Sequence, residues 1–138
     1  MNHRCEHILR MYMNRRLTEA LTECYALLKQ STLQAHHGDE ELASFFLVIG
    51  CVCHVKATLS SAQDFYRAVL EVLSDQPHCT LYLVALFNLT SAVFSADHSK
   101  IEEAKVLHQQ LLRKMRGQKT CKSFWKGIQA QHQKLYAL

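Results

Sequence analysis

Three stretches of this chain repeat one another at a spacing of 42 residues, and that period constrains the fold more than any other feature. Leu17-Thr18-Glu19-Ala20, Leu59-Ser60-Ser61-Ala62 and Ile101-Glu102-Glu103-Ala104 share an apolar-x-x-Ala signature. The register continues downstream, where Leu27-Leu28, Val69-Leu70 and Leu111-Leu112 take equivalent places, as do the less similar Cys24, Tyr66 and His108. A fixed period of a few tens of residues marks a stacked architecture, in which one unit cannot bury its own apolar face and needs its neighbours.

Composition narrows the class of structure. With 138 residues the chain is long enough to bury a core as one domain, and 49% hydrophobic residues is ordinary for a globular protein. Four glycines and one proline are too few for a turn-rich sandwich or barrel. The expected fold is all-α. The first twenty residues carry Arg4, Glu6, Arg10, Arg15, Arg16 and Glu19 where a secretory signal needs an apolar core. The longest apolar run, Phe45 to Cys53, is about half of the roughly 20 residues that a spanning helix requires. An intracellular chain, cytoplasmic or nuclear, is therefore expected, with its six cysteines as reduced thiols.

Helical periodicity and cap residues divide the chain. A first segment at about 3–13 carries Cys5, Ile8, Leu9 and Tyr12 or Met13, and a break near Asn14 leads to a second at about 16–30. Ser31 to Gly38, with the His36-His37 pair, reads as a loop. Asp39 is the candidate N-cap of a third helix reaching about Ala57, with Glu40 and Glu41 suited to the positive end of its dipole. Ser60-x-x-Gln63 reads as a capping box for a fourth helix, and Pro77 as a first-turn residue of a fifth at about 77–95. That fifth helix is apolar round most of its circumference (Leu81, Leu83, Val84, Leu86, Phe87, Leu89, Val93, Phe94) and should be central. Ser99-x-x-Glu102 reads as a second capping box, Gly117 as the left-handed end of the sixth helix. A last helix at about 120–136 is expected to turn Cys121, Phe124, Trp125, Ile128 and Leu135 to one side.

The helix pairs resemble tetratricopeptide repeats, in which a large apolar residue, Leu-Gly and an aromatic mark the first helix and Ala, an aromatic and Ala mark the second. In the middle unit Phe46, Ile49-Gly50, Ala62 and Tyr66 fit, with Cys53 and Val69 as apolar departures. In the third unit Leu86, Leu89, Thr90 and Ala104 correspond, two extra residues enter the Asp97 to Lys100 turn, and His108 replaces the aromatic. The first unit keeps Ala20 and Leu27 but has Arg4 and His7 at sites that should be apolar. The resemblance covers about 1–116, and the 42-residue period resembles the longer-helix variants of kinesin light chains and cell-polarity adaptors. It implies a right-handed array of antiparallel hairpins, six or seven helices in all, with units at about 1–38, 39–76 and 77–117 and a capping helix at 118–138.

Function in that family lies on the concave surface. By resemblance the groove comprises Leu47, Val48, Cys51, His54 and Val55 from the middle unit and Phe87, Asn88, Ser91, Phe94 and Ser95 from the third. It is mostly apolar and suits a partner helix or an extended apolar segment of another protein. The carboxylate clamp of chaperone-binding members needs Lys and Asn there, and only Asn88 is present. Alternatively the C-terminal helix, or a neighbouring unit, fills the groove.

Charge is uneven: residues 100–138 hold nine Lys or Arg against two acids, net +7, while residues 1–99 are net −3. Arg113, Lys114, Arg116, Lys119, Lys122 and Lys126, with Phe124 and Trp125 interleaved, form a basic patch able to attract nucleic acid or an acidic protein. The plainer reading is a solvated face of capping helices with Trp125 packed inward. Cys51-x-Cys53-His54, with His36, His37, His78 and Cys79, invites a zinc site, but Cys51 and Cys53 stand about 200° apart on a helix. No metal or cofactor is expected. No glycine-rich phosphate loop, His-Glu-x-x-His or nucleophile signature is present, so the expectation is a non-enzymatic adaptor or complex subunit. The rival is a closed regulatory bundle of death-fold or Bcl-2-like kind, which has no reason to repeat Ala20, Ala62 and Ala104.

Overall fold

The sequence period reappears as a period of structure. A computed structural model describes residues 6–8, 10–11, 16–34, 39–118 and 121–137, and these contain helices and no strand. The long helices are α1 (Leu17–Gln34), α2 (Glu40–Val55), α3 (Leu59–Val72), α4 (Thr80–Ala96), α5 (Ile101–Lys114) and α6 (Lys122–Tyr136), with residues 6–8 and 10–11 also helical. Leu17, Leu59 and Ile101 open α1, α3 and α5, so these helices begin 42 residues apart. Burial follows the same register. Ala20, Ala62 and Ala104 are fully buried, as are Cys24, Tyr66 and His108, and Leu27, Val69 and Leu111 are buried in turn. Among the described residues no helix is long and apolar enough to cross a membrane.

Consecutive helices from α2 to α6 pack against one another, and α2 also meets α4. Small residues permit the close approaches. A Cβ built on Gly50 would lie 2.7 Å from Tyr66 Cε1, so the phenol ring of α3 rests directly on the α2 backbone. Phe46 and Phe65 stack beside it with centroids 6.0 Å apart. Full burial of each such side chain contributes roughly 1.5–3 kcal/mol. Tyr25 of α1 reaches α3 twice, its ring 5.2 Å from Phe65 and its hydroxyl donating to Asp64 at 2.6 Å. As its apolar circumference predicts, α4 is central, with Leu83, Leu86, Leu89 and Val93 buried between its neighbours.

Cap chemistry is where local reading and structure part. Asp39 is the N-cap of α2, its carboxylate accepting the Leu42 N–H at 3.0 Å, and Gly117 is left-handed at φ 76°. Neither capping box forms. The end of α2 folds back with Ala57 N–H on the His54 carbonyl and Thr58 N–H on that of Cys53, which delivers the chain into α3 at Leu59 and leaves Ser60 inside the helix. Asp97, by accepting from the N–H and hydroxyl of Ser99, builds a 3-10 turn at His98–Lys100 instead, and this turn absorbs the two extra residues of the third unit. Pro77 lies before α4, not in its first turn. It holds the second place of a turn in which Cys79 N–H meets the Gln76 carbonyl at 3.1 Å, a site its fixed φ suits. At the other end of the chain α1 runs on to Gln34, through the first four residues of the expected loop, since no breaker precedes Gly38. Residues 35–38, including His36 and His37, lie outside the described residues, as do Arg4, Cys5, Leu9, Tyr12, Met13 and Asn14.

Ala57 is a non-glycine residue at φ 59°, a conformation that costs an L side chain roughly 1–2 kcal/mol. Ala57→Gly should raise the unfolding free energy by about 1 kcal/mol. Gly50→Ala drives a methyl into the Tyr66 ring and should lower it by about 1–3 kcal/mol. Urea denaturation midpoints at unchanged slope measure both.

Candidate functional site

On α2, successive steps of three and four residues bring Leu47, Val48, Cys51, His54 and Val55 to one side. Val48 is 49% exposed and Val55 87%, while Leu47, Cys51 and His54 are half-buried. Asn88 on α4 donates to Cys51 Sγ at 3.6 Å, so the two helices that the groove requires do face each other. His54 engages α3: its Nδ1 lies 3.1 Å from the Tyr66 hydroxyl. Burial lowers the His54 pKa and, with Cys51 close by, raises that of Tyr66, so this link joins two neutral groups.

The α4 half of the groove is covered. α6 lies over it, with Phe124 5.5 Å from Phe87 between ring centroids and Gly127 against the tip of the same ring. Gln131 Nε2 donates to the Phe87 carbonyl at 3.0 Å and to Ser91 Oγ at 2.8 Å. A recess of about 180 Å³ remains among Phe87, Ser91, Phe94, Ser95, Gln131 and Lys134. Phe94 is itself buried and stacks on His98 with centroids 4.6 Å apart. Leu47, Val48, Cys51, Val55 and Asn88 therefore remain beside the cap, and Phe87, Ser91 and Phe94 beneath it.

A buried polar chain fastens this cap. With both Gln131 amide protons donated, its Oε1 accepts from His108 Nδ1 at 2.9 Å. Burial lowers the His108 pKa, so the ring is neutral and its Nε2 accepts from His132 Nδ1 at 3.0 Å. Three helices are thus joined from the α4 backbone to the exposed His132 ring. Gln131 is the bridging residue that local reading does not single out. Its signal was available, since it falls on the inward stripe three residues after Ile128 and four before Leu135.

That stripe also corrects the orientation expected of Trp125. Phe124, Ile128, Gln131 and Leu135 define the inner side of α6, and position 125 lies about 100° away from position 124. Trp125 is 43% exposed and, with Leu112, Ile128, Gln129, His132 and Gln133, lines a groove of about 450 Å³. Cys121, placed by sequence on the inner side, is the exposed N-cap residue of α6; its thiol pKa is lowered by the Ser123 hydroxyl and the Phe124 N–H. Of the basic patch, Arg113, Arg116, Lys122 and Lys126 are exposed, and Lys119 lies outside the described residues. Lys114 is half-buried, its ammonium 5.5 Å above the Tyr82 ring. Cys24, Cys51, Cys53, Cys79 and Cys121 are thiols. Among the described residues no group of three or more His, Cys, Asp or Glu is placed to hold a metal ion.

The sign of the pH dependence follows from the lowered His108 pKa. Below about pH 6.5 the unfolded chain takes up a proton that the folded one resists, so the contribution present above that pH is lost as pH falls toward the native value. The urea midpoint should drop between about pH 7 and pH 5. His54, whose pKa burial also lowers, acts in the same direction, so His108→Gln, which removes one titrating ring, should reduce that slope and leave the His54 part.

No protein-family model, curated protein or solved structure matches the chain.

Proposed function

We propose that the chain is a non-enzymatic protein-binding module, an adaptor or complex subunit working inside the cell, built as a tetratricopeptide-like array of hairpins closed by a capping helix. Its partner contributes a helix or an extended apolar segment laid along the α2 side of the groove. The observation that carries the reading is the pair Val48 and Val55, 49% and 87% exposed on the α2 face beside the edge left by α6. Two valines about two turns apart on one helix face offer apolar area left exposed among the described residues, and burial of such area is the main driving force of association. The common start register of α1, α3 and α5, with buried Ala20, Ala62 and Ala104, supports a repeat over a closed regulatory bundle.

Because α6 closes the other half, the segment admitted is narrower than the full groove would take. It meets Leu47, Val48, Cys51 and Val55, with Asn88 as the polar group at its edge. Aspartate at both valines tests this. Val48→Asp with Val55→Asp should change the unfolding free energy from urea titration by no more than about 0.5 kcal/mol, since both sites are exposed. Partners recovered by affinity purification and mass spectrometry should fall at least about tenfold, which corresponds to roughly 1.4 kcal/mol. Unchanged recovery would remove the α2 face from consideration.

A further inference from the structure

Exposed apolar side chains also gather at the end of the molecule formed by α5 and α6. Val106 is 57% exposed, Trp125 43% and Tyr136 40%. Beside the Trp125 groove lies a second hollow of about 530 Å³, lined by Glu102, Lys105, Val106, Gln109, Arg113 and Tyr136. The two adjoin where His132 stacks on Tyr136, with centroids 4.6 Å apart. Gln109 holds the Tyr136 hydroxyl at 2.9 Å, and Lys105 sits 5.0 Å over its ring, so the middle of the furrow is built of braced side chains.

Its length comes from the helix. Lys122, Trp125, Gln129, His132 and Tyr136 recur at three- and four-residue steps and form one stripe along α6. At 1.5 Å per residue the stripe is about 21 Å long, matching roughly four turns of a partner helix. Its charge is predominantly positive. Arg113 on α5, Arg116 in the turn that follows it, and Lys122 and Lys126 on α6 are exposed, Lys105 is half-buried, and among the lining residues the acid is Glu102, which lies 3.5 Å from Lys105.

We propose that this furrow docks an acidic amphipathic helix of a partner protein. Leucine- or phenylalanine-sized side chains on one face would enter the hollows at Leu112, Trp125 and Val106. Aspartates or glutamates flanking that face would meet the cations on the rim, which gives orientation and a fast, salt-dependent encounter. A nucleic-acid backbone is the poorer fit, because binding through phosphates uses cations and leaves the apolar floor uncovered. The surface is separate from the α2 face, and its occupant is chosen by charge where that of α2 is chosen by apolar contact.

Trp125 is the single tryptophan of the chain, so its emission reports the furrow in the intact protein. The probe is a tryptophan-free Glu/Leu amphipathic peptide of about four helical turns. The comparisons are its Lys/Leu counterpart, a short single-stranded oligonucleotide, and the protein alone over a dilution series. The expected result is a saturable blue shift with the acidic peptide, weakened about tenfold or more by raising salt from about 0.05 to 0.5 M, and none with the others. Lys122→Glu with Lys126→Glu should reverse the preference between the two peptides, and Val106→Ser should weaken the acidic one; all three positions are exposed, so the fold is retained. Equal response to both peptides, response to the oligonucleotide, a shift that follows dilution of the protein alone, or no shift with any probe would each overturn the proposal.

Discussion

The contact between Gly50 and Tyr66 is the constraint on which the rest of the molecule turns. With Tyr66 Cε1 only 2.7 Å from the site of a Cβ, α2 and α3 approach as closely as a ring laid on bare backbone allows. That approach buries the ring completely while its hydroxyl meets His54 at the edge of the groove. One side chain therefore both closes the hairpin and sets the polar edge of the α2 face. At the corresponding places of the next unit stand Thr90 and His108, both fully buried. Thr90 satisfies its hydroxyl on the Leu86 carbonyl at 2.8 Å. His108, unlike a tyrosine, offers two ring nitrogens, and both are engaged by α6.

The departure from an aromatic at position 108 thus has a structural consequence. An apolar ring there would leave the Gln131 carbonyl oxygen without its His108 donor, and a buried unsatisfied polar group costs about 1–3 kcal/mol. The imidazole joins α5 to α6 while Gln131 joins α6 to the α4 backbone. Apolar contact alone from Ile128, Leu135 and part of Phe124 would fasten the cap with less directional control. The cap in turn divides the surface in two. One side keeps Val48 and Val55 open on α2, and the other presents Trp125, Val106 and Tyr136 among cations.

Helix positions were largely legible because they rest on local chemistry. Asp39 caps α2, Gly117 takes a left-handed conformation, and the continuous apolar surface of Leu83 to Phe94 marks α4 as central. Local signals failed where a stronger neighbouring interaction claimed the same group. Ser99 donates to Asp97, and so never caps α5. Thr58 N–H closes the end of α2, and so the next helix starts before Ser60 is reached. Pro77 has the fixed φ that a first helical turn would use, but the turn before α4 claims it, since a turn uses that φ as well as a helix does.

The candidate site was legible in part. Cys51 and Asn88 meet between α2 and α4. What the sequence determined by itself was the 42-residue period, the order of helices and the basic character of the last 39 residues, because periodicity, caps and charge are properties of neighbours in the chain. Only the tertiary structure decided that Gln131 turns in and Trp125 out, and that α6 lies over Phe87 and Ser91 rather than beside them. Those outcomes depend on partners 23 to 44 residues away, among them His108 and the Phe87 carbonyl. A buried amide turns inward only where such distant groups satisfy it.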